Sequence, residues 1–377
     1  MSTSTEKKNY TLPIIVMFLL FFMISFVTGF QNPFGVILKN QLSLSTLQSQ
    51  LGNAANFIAY AFMGLPAGMI LQRKGYKFSA IAAVIVGLVG VAIMMVSSLL
   101  PQNAIFGIYL VGAFVAGFSM CMLNTVVNPM LNTLGGGGKK GNQLLQFGGS
   151  LNSLGATICP ILVGYCIGDA AKATLGQGQL ALGIAMGIFA LALIVLICSK
   201  LPEPQLDEMK KEAKKDHSSL QQEENKIKLS DAFKFSNYLF GVIAIFFYVG
   251  IEVGIPNIAN LYMTTPEIDI AAGAAGLLCG MYWLLMLVGR FVGGAIGGKV
   301  SSKTMLTTVS TVALILLACA ILADPASKIS IPAFDGEFNL TSVEAPVNIL
   351  FLVLCGLCTS IMWGGIFNLA VEGLGEY

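Results

Sequence analysis

The sequence predicts an all-α integral membrane protein with about ten membrane-spanning helices, and three observations lead there. Of its 377 residues 55% are hydrophobic and only 11% are charged, with a mean hydropathy of +0.79, whereas a soluble domain carries roughly 25% charged residues. The apolar residues fall into segments of about 20, the length a helix needs to cross hydrocarbon. Lys and Arg gather in alternate loops, the bias that orients a multi-pass protein.

The segments run over 11–36, 50–71, 78–99, 104–128, 145–168, 179–199, 237–262, 272–298, 304–323 and 347–370. The first is too long for the core of a signal peptide and is followed by others like it, so it is read as a retained span. Basic residues cluster at Lys7 and Lys8, at Arg73, Lys74 and Lys77, at Lys139 and Lys140, and at Lys299 and Lys303. The N-terminus and the central loop are therefore expected to be cytoplasmic. That loop, 201–235, holds eight acidic residues and seven lysines and contains His217, the chain's one histidine. Its mixed charge and few aromatics suit a solvated linker rather than a binding module, and a histidine proton relay inside the spans is excluded. The matched charges give no support for nucleic-acid binding.

Eight cysteines lie almost entirely in apolar segments and mark no redox compartment. Cys355 and Cys358 have redox spacing but sit in an apolar helix with no strand beside them. "GGGGKK" at Gly135–Lys140 lacks the spacing of a phosphate loop and reads as a flexible turn. The sequon at Asn339 falls in an expected external loop. "GLPAGMILQRKGYK" after the second span and "GRFVGGAIGGKVSSK" after the eighth form a faint repeat, and repeated halves are a common plan of secondary transporters.

Polar residues inside spans carry the functional reading, because each needs protein or a watered cavity to face. They are Gln31, Asn32 and Pro33 in the first span, Asn124 and Asn128 on one face of the fourth, and Gln146, Ser150, Asn152 and Ser153 in the fifth. The seventh adds Glu252, Pro256, Asn257 and Asn260; the eighth Tyr282, Trp283 and Arg290; the tenth Trp363 and Asn368. Each amide taken singly could be interhelical glue. Together, amides, hydroxyls and aromatic rings with almost no fixed charge suit a neutral polyhydroxylated solute, since amides pair with hydroxyls and ring faces cover the apolar side of a sugar. Arg290 reads either as a ligand or as a structural or gating charge, with Arg73 of the basic turn a second coupling or gating candidate. Glu252 reads as a contact for substrate or coupling ion, or as a structural glutamate.

"GFQNPFGVILKNQL", "LNTVVNPMLNTLG", "QFGGSLNSLGA", "FFYVGIEVGIPN", "YWLLMLVGRFVGG" and "SIMWGGIFNLAVEGLG", in this order, resemble the fucose, galactose and glucose proton-symporter family of the major facilitator superfamily. The resemblance implies two six-helix repeats, a central sugar site between them, alternating access, and proton coupling through carboxylates in the first and fourth spans. It implies an N-terminal domain over 1–200, a linker over 201–235 and a C-terminal domain over 236–377. No cofactor, metal or catalytic residue is implied. The partners implied are a small neutral sugar, a co-transported proton or other cation, and the lipid of a bacterial inner membrane, with the protein acting as a monomer.

The sequence departs from the family at informative places. The family's Asn-Asp of the first span corresponds to Gln31 and Asn32, and its Glu-Thr-Ala-Ala-Asn-Pro to Asn124–Pro129, so both titrating carboxylates are amides here. Facilitated diffusion, coupling through Glu252 or another cation, and a non-transporting sugar sensor of the same fold all remain open. Gly364 and Gly365 replace a Pro-Thr, and Gln72 stands where the signature turn has an aspartate. The chain stops at the end of the tenth span, which reads as a partial or truncated chain two spans short. A membrane-embedded enzyme would need a metal cluster or an acid pair within the spans, and the sequence supplies none. The residues assigned to the sugar pathway are Gln31, Asn32, Asn124, Asn128, Gln146, Asn152, Glu252, Asn257, Tyr282, Trp283, Trp363 and Asn368. Pro33 and Gly35 are expected to let the first span bend.

Overall fold

The computed structural model describes residues 10–167, 174–203, 234–263, 265–270, 272–334 and 339–374. Most of the charged linker, His217 included, lies outside the described residues. The helices are α1 (Thr11–Thr28), α2 (Gln31–Gln41), α3 (Thr46–Ser49), α4 (Leu51–Ser97), α5 (Gln102–Leu134), α6 (Gly138–Ile167), α7 (Gln179–Cys198), α8 (Ser236–Met263), α9 (Ala272–Gly297), α10 (Ser302–Leu322) and α11 (Val347–Val371). A hairpin of β1 (Lys328–Phe334) and β2 (Leu340–Pro346) joins α10 to α11. Among the described residues, eight helical stretches are long and apolar enough to cross a membrane. All ten segments read from the sequence fall on helix. Two share α4, and one is α6, whose first half is polar.

Local chemistry sets the breaks. Pro33 lacks the N–H that would bond the carbonyl of Gly29, and the helix is interrupted between Thr28 and Gln31. Gly35 has a different role from the bend expected of it. A Cβ there would stand 2.7 Å from the Ser49 carbonyl, so glycine is needed to let the end of α3 approach α2. In α4, Gly75 takes φ 83°, a left-handed conformation that glycine adopts without a steric penalty, and splits the helix into two arms. The second arm starts with the Tyr76 and Lys77 N–H groups each donating to a carboxylate oxygen of Glu203 at 2.7 Å. Lys77 Nζ in turn donates to the carbonyls of Ile197 and Ser199 at the end of α7. An anion thus caps a helix start and a cation a helix end, as the helix dipoles favour.

The chain divides into two compact units, Met1–Leu134 with Leu154–Glu223, and Gly135–Ser153 with Glu224–Tyr377. In the first, the second arm of α4 lies directly on α5: a Cβ on Gly90 would come 2.6 Å from the Ala116 nitrogen, and one on Gly112 would come 2.8 Å from that of Met94. In the second, 67% of the central window of α11 is buried against 6% for α10, so α11 is the inner helix and α10 shows most of its apolar surface outward. The hairpin turns Ile331, Ala333 and Ala345 into a cluster with Ala259, Met263, Ala275, Leu278 and Ile349. It closes one end of α8, α9 and α11. The sequence reading had a loop here; the signal it passed over is the run "KISIPAF", in which exposed and covered positions alternate.

Candidate functional site

In the first unit, α5 carries a ladder of amides. Asn128 Nδ2 donates to the Asn124 carbonyl at 2.9 Å and to its Oδ1 at 3.3 Å. Asn124 Nδ2 donates to Met120 O at 3.1 Å and to the Tyr60 hydroxyl of α4 at 2.9 Å. The i, i+4 spacing read from the sequence thus places both amides on one helix face. Gln31 is buried, its Oε1 accepting from the Tyr109 hydroxyl at 2.9 Å, while its Nε2 has no partner among the described residues. Asn32 lies on α2, with its side chain outside the described residues. Arg73 is exposed beside the Gly75 break. Two polar residues of this unit were missed: Tyr60, and Asn56 one turn before it, whose amide is buried with neither atom partnered among the described residues. "NAANFIAY" held the signal, an amide and a tyrosine four residues apart in an apolar span.

The second unit is organised around Arg290 on α9. Its Nη2 pairs with Glu252 Oε1 of α8 at 2.8 Å. Its Nη1 donates to Ser153 Oγ at 2.6 Å and to Gly149 O at 3.3 Å on α6, and its Nε to Ser360 O of α11 at 3.4 Å. One guanidinium thus ties four helices, which its five fixed donors allow. A Cβ on Gly149 would stand 3.3 Å from Arg290 Cδ, so that glycine seats the side chain. Tyr282 is fully buried; its hydroxyl reaches the Glu252 carbonyl at 3.1 Å and Thr359 Oγ1 at 2.9 Å. Gln146 Nε2 donates to the Ile361 carbonyl at 2.8 Å, and Asn368 Nδ2 to Ser302 Oγ at 2.8 Å. Gly364, where the resemblance implies a proline, leaves room for Gln146, since a Cβ there would come within 2.7 Å of Nε2.

Of the other expected residues in this unit, Asn152 is half-buried and hydrogen-bonding or otherwise engaged. Trp363 is half-buried with its ring 6.1 Å from that of Tyr248. Trp283 is 41% exposed, edge-on to Tyr282 at 5.4 Å, and Asn257 is exposed. Arg290 meets Glu252 and Ser153 directly and Tyr282 meets the Glu252 carbonyl, whereas Asn257 and Trp283 stand on surfaces of α8 and α9. Thr359 was missed because a lone threonine in an apolar helix carries no pattern. Among the described residues, no group of three His, Cys, Asp or Glu side chains could hold a metal ion.

The sequence profile of the Major Facilitator Superfamily matches residues 17–377. The chain is 28% identical over 380 residues to a glucose/galactose transporter of Brucella abortus biovar 1 (strain 9-941), covering 99% of this chain and 83% of that protein. It is 22% identical over 392 residues to the L-fucose-proton symporter of Escherichia coli (strain K12), covering 98% and 82%. The crystal structure of the E. coli fucose:proton symporter superposes with a TM-score of 0.75 at 21% identity, over 98% of this chain and 86% of that one. The proton:xylose symporter superposes at 0.58 and 11% identity, over 95% and 80%. The chain is a multi-pass membrane protein that belongs to the Major Facilitator Superfamily and has its fold.

Proposed function

We propose that the protein is a sugar permease that moves a neutral monosaccharide across a bacterial inner membrane by alternating access, with the N-terminus and the linker on the cytoplasmic side. The segments 1–200 and 236–377 act as the moving halves and 201–235 joins them. The observation that carries the substrate class is the charge balance inside the spans. Glu252 and Arg290 cancel each other at 2.8 Å, leaving amides, hydroxyls and aromatic rings to meet a solute. Such groups recognise hydroxyls without demanding charge. Similarity to a glucose/galactose transporter along 99% of the chain supports the same reading.

The coupling reading rests on particular side chains. Asn32 and Asn124 cannot carry a proton, which favours uniport; Glu252, facing Arg290, is the carboxylate available for symport. Uptake of a labelled sugar panel into proteoliposomes, with and without an imposed pH gradient, tests both. Gradient-driven accumulation that Glu252→Gln abolishes establishes symport through Glu252. Equilibration without accumulation establishes uniport. Sugar binding with no uptake in either condition would leave a sensor and defeat the permease reading.

A further inference from the structure

Pro256 has no N–H, so the carbonyl one turn earlier, that of Glu252, loses its helical donor. In hydrocarbon an orphaned carbonyl is costly and draws a substitute from a neighbouring helix. The Tyr282 hydroxyl lies 3.1 Å from this carbonyl. One turn along the same face of α9, Cys279 Sγ lies 3.3 Å from the Pro256 carbonyl. Two side chains three residues apart thus meet two carbonyls four residues apart, one a turn before the proline and one on the proline itself.

Tyr282 has one proton to give and two neighbours that could take it. Thr359 Oγ1 sits 2.9 Å away, and its own proton can go to Tyr282, to the Cys355 carbonyl at 3.1 Å or to the Gly356 carbonyl at 3.3 Å, which has its own helical donor in the Ser360 N–H. Residue 359 is not proline, so Cys355 O keeps a backbone N–H donor and does not need the threonine. Glu252 O has no such donor. The economical arrangement is Thr359 donating to Tyr282, and Tyr282 to Glu252. The ring is held for this. Tyr282 is 1% exposed, and a Cβ on Gly356 would collide with the Tyr282 carbonyl, so α11 presses against the backbone that carries it. A small apolar cavity lined by Pro256, Ala259, Cys279 and Tyr282 lies beside the proline.

We propose that Tyr282 is a positioning residue that replaces the N–H missing at Pro256, fixing the turn of α8 that lacks this bond so that the Glu252 side chain is aimed at Arg290. It acts on the protein and makes no contact with the solute. The part of the test that reads uptake rests on the permease reading; the part that reads stability does not.

The test is a cycle of the full chain, Tyr282→Phe, Pro256→Ala and the double variant, each purified and reconstituted. Tyr282→Phe should lower the thermal midpoint, as expected of a buried acceptor left without its donor, and lower the sugar uptake rate by about tenfold if the misaimed fraction of Glu252 follows the same loss. In the Pro256→Ala background, where residue 256 supplies its own N–H, the same change should cost less than about twofold in uptake and leave the midpoint unmoved. An equal loss in both backgrounds overturns the proposal. If no sugar is transported, or Pro256→Ala is inactive, the midpoint cycle decides alone. If Pro256→Ala does not fold, Thr359→Val is compared with Tyr282→Phe. Thr359→Val should cost clearly less, and an equal cost would mean that the Tyr282–Thr359 bond is what matters.

Discussion

In the first unit the polar side chains of α5 bond largely to their own helix, whereas in the second unit those of α9 bond across helices. Asn128, Asn124 and Thr125 all donate to carbonyls one turn back on α5. Arg290 reaches α6, α8 and α11, and Tyr282 reaches α8 and α11. Own-helix bonds survive any rigid motion of that helix. Cross-helix bonds exist in one packing only, so the second unit is where a change of arrangement must break and remake polar contacts. The charges follow the same division, since the Glu252–Arg290 pair lies in the unit whose contacts are cross-helical.

Variants at each place can break or sharpen that contrast. The largest effect belongs to Arg290→Ala, which strips Glu252 of its counter-ion; breaking such a pair costs about 3–5 kcal/mol. Thermal unfolding in detergent should show the loss, and Glu252→Gln added to it should recover a substantial part. No recovery would mean that the other donors of Arg290, not the ion pair, hold the second unit. Next comes Gly356→Ala, whose new methyl meets the Tyr282 backbone rather than a flexible side-chain end; overpacking of this kind costs about 1–3 kcal/mol. An unchanged midpoint would show that α9 and α11 can part there at little cost.

Tyr60→Phe probes the cross-helix bond that Asn124 makes in the amide ladder. Interhelical hydrogen bonds in membranes average about 0.6 kcal/mol, so its shift in midpoint should be small and clearly below that of Arg290→Ala. A shift of similar size would erase the difference between the units. Smallest of all, Arg73→Ala at an exposed position should change stability by no more than about 0.5 kcal/mol. A fall in uptake at unchanged stability would then assign Arg73 to gating.

Much of the fold was legible because the bilayer imposes a length on apolar segments, and each of the ten segments falls on helix. The Asn124–Asn128 pair was legible for the same kind of reason: i, i+4 spacing fixes a shared face whatever packs against it. Pro33 marked a real interruption, since its missing N–H is a property of the residue itself. Gly35, expected to bend the span together with Pro33, instead admits a close approach, because whether a glycine serves a turn or a contact depends on the partner, here the Ser49 carbonyl. Ser153 and Thr359 carried no signal of their roles, and Tyr282 looked like a ring for a solute.

By itself, then, the sequence determined the membrane-spanning helices, where a proline would leave a carbonyl without its helical donor, and a polar content inside the spans with little fixed charge. These follow from hydrophobic length, backbone chemistry and charge counting, all of which are local. Only the tertiary structure decided that Arg290 binds Glu252, that Gly149 seats it, that the turn before Pro256 faces Tyr282, and that Lys328–Phe334 and Leu340–Pro346 pair as a capping hairpin. Those are choices of partner, and in a chain where nearly every span offers a hydroxyl or an amide, partner choice is fixed by which helix faces pack together.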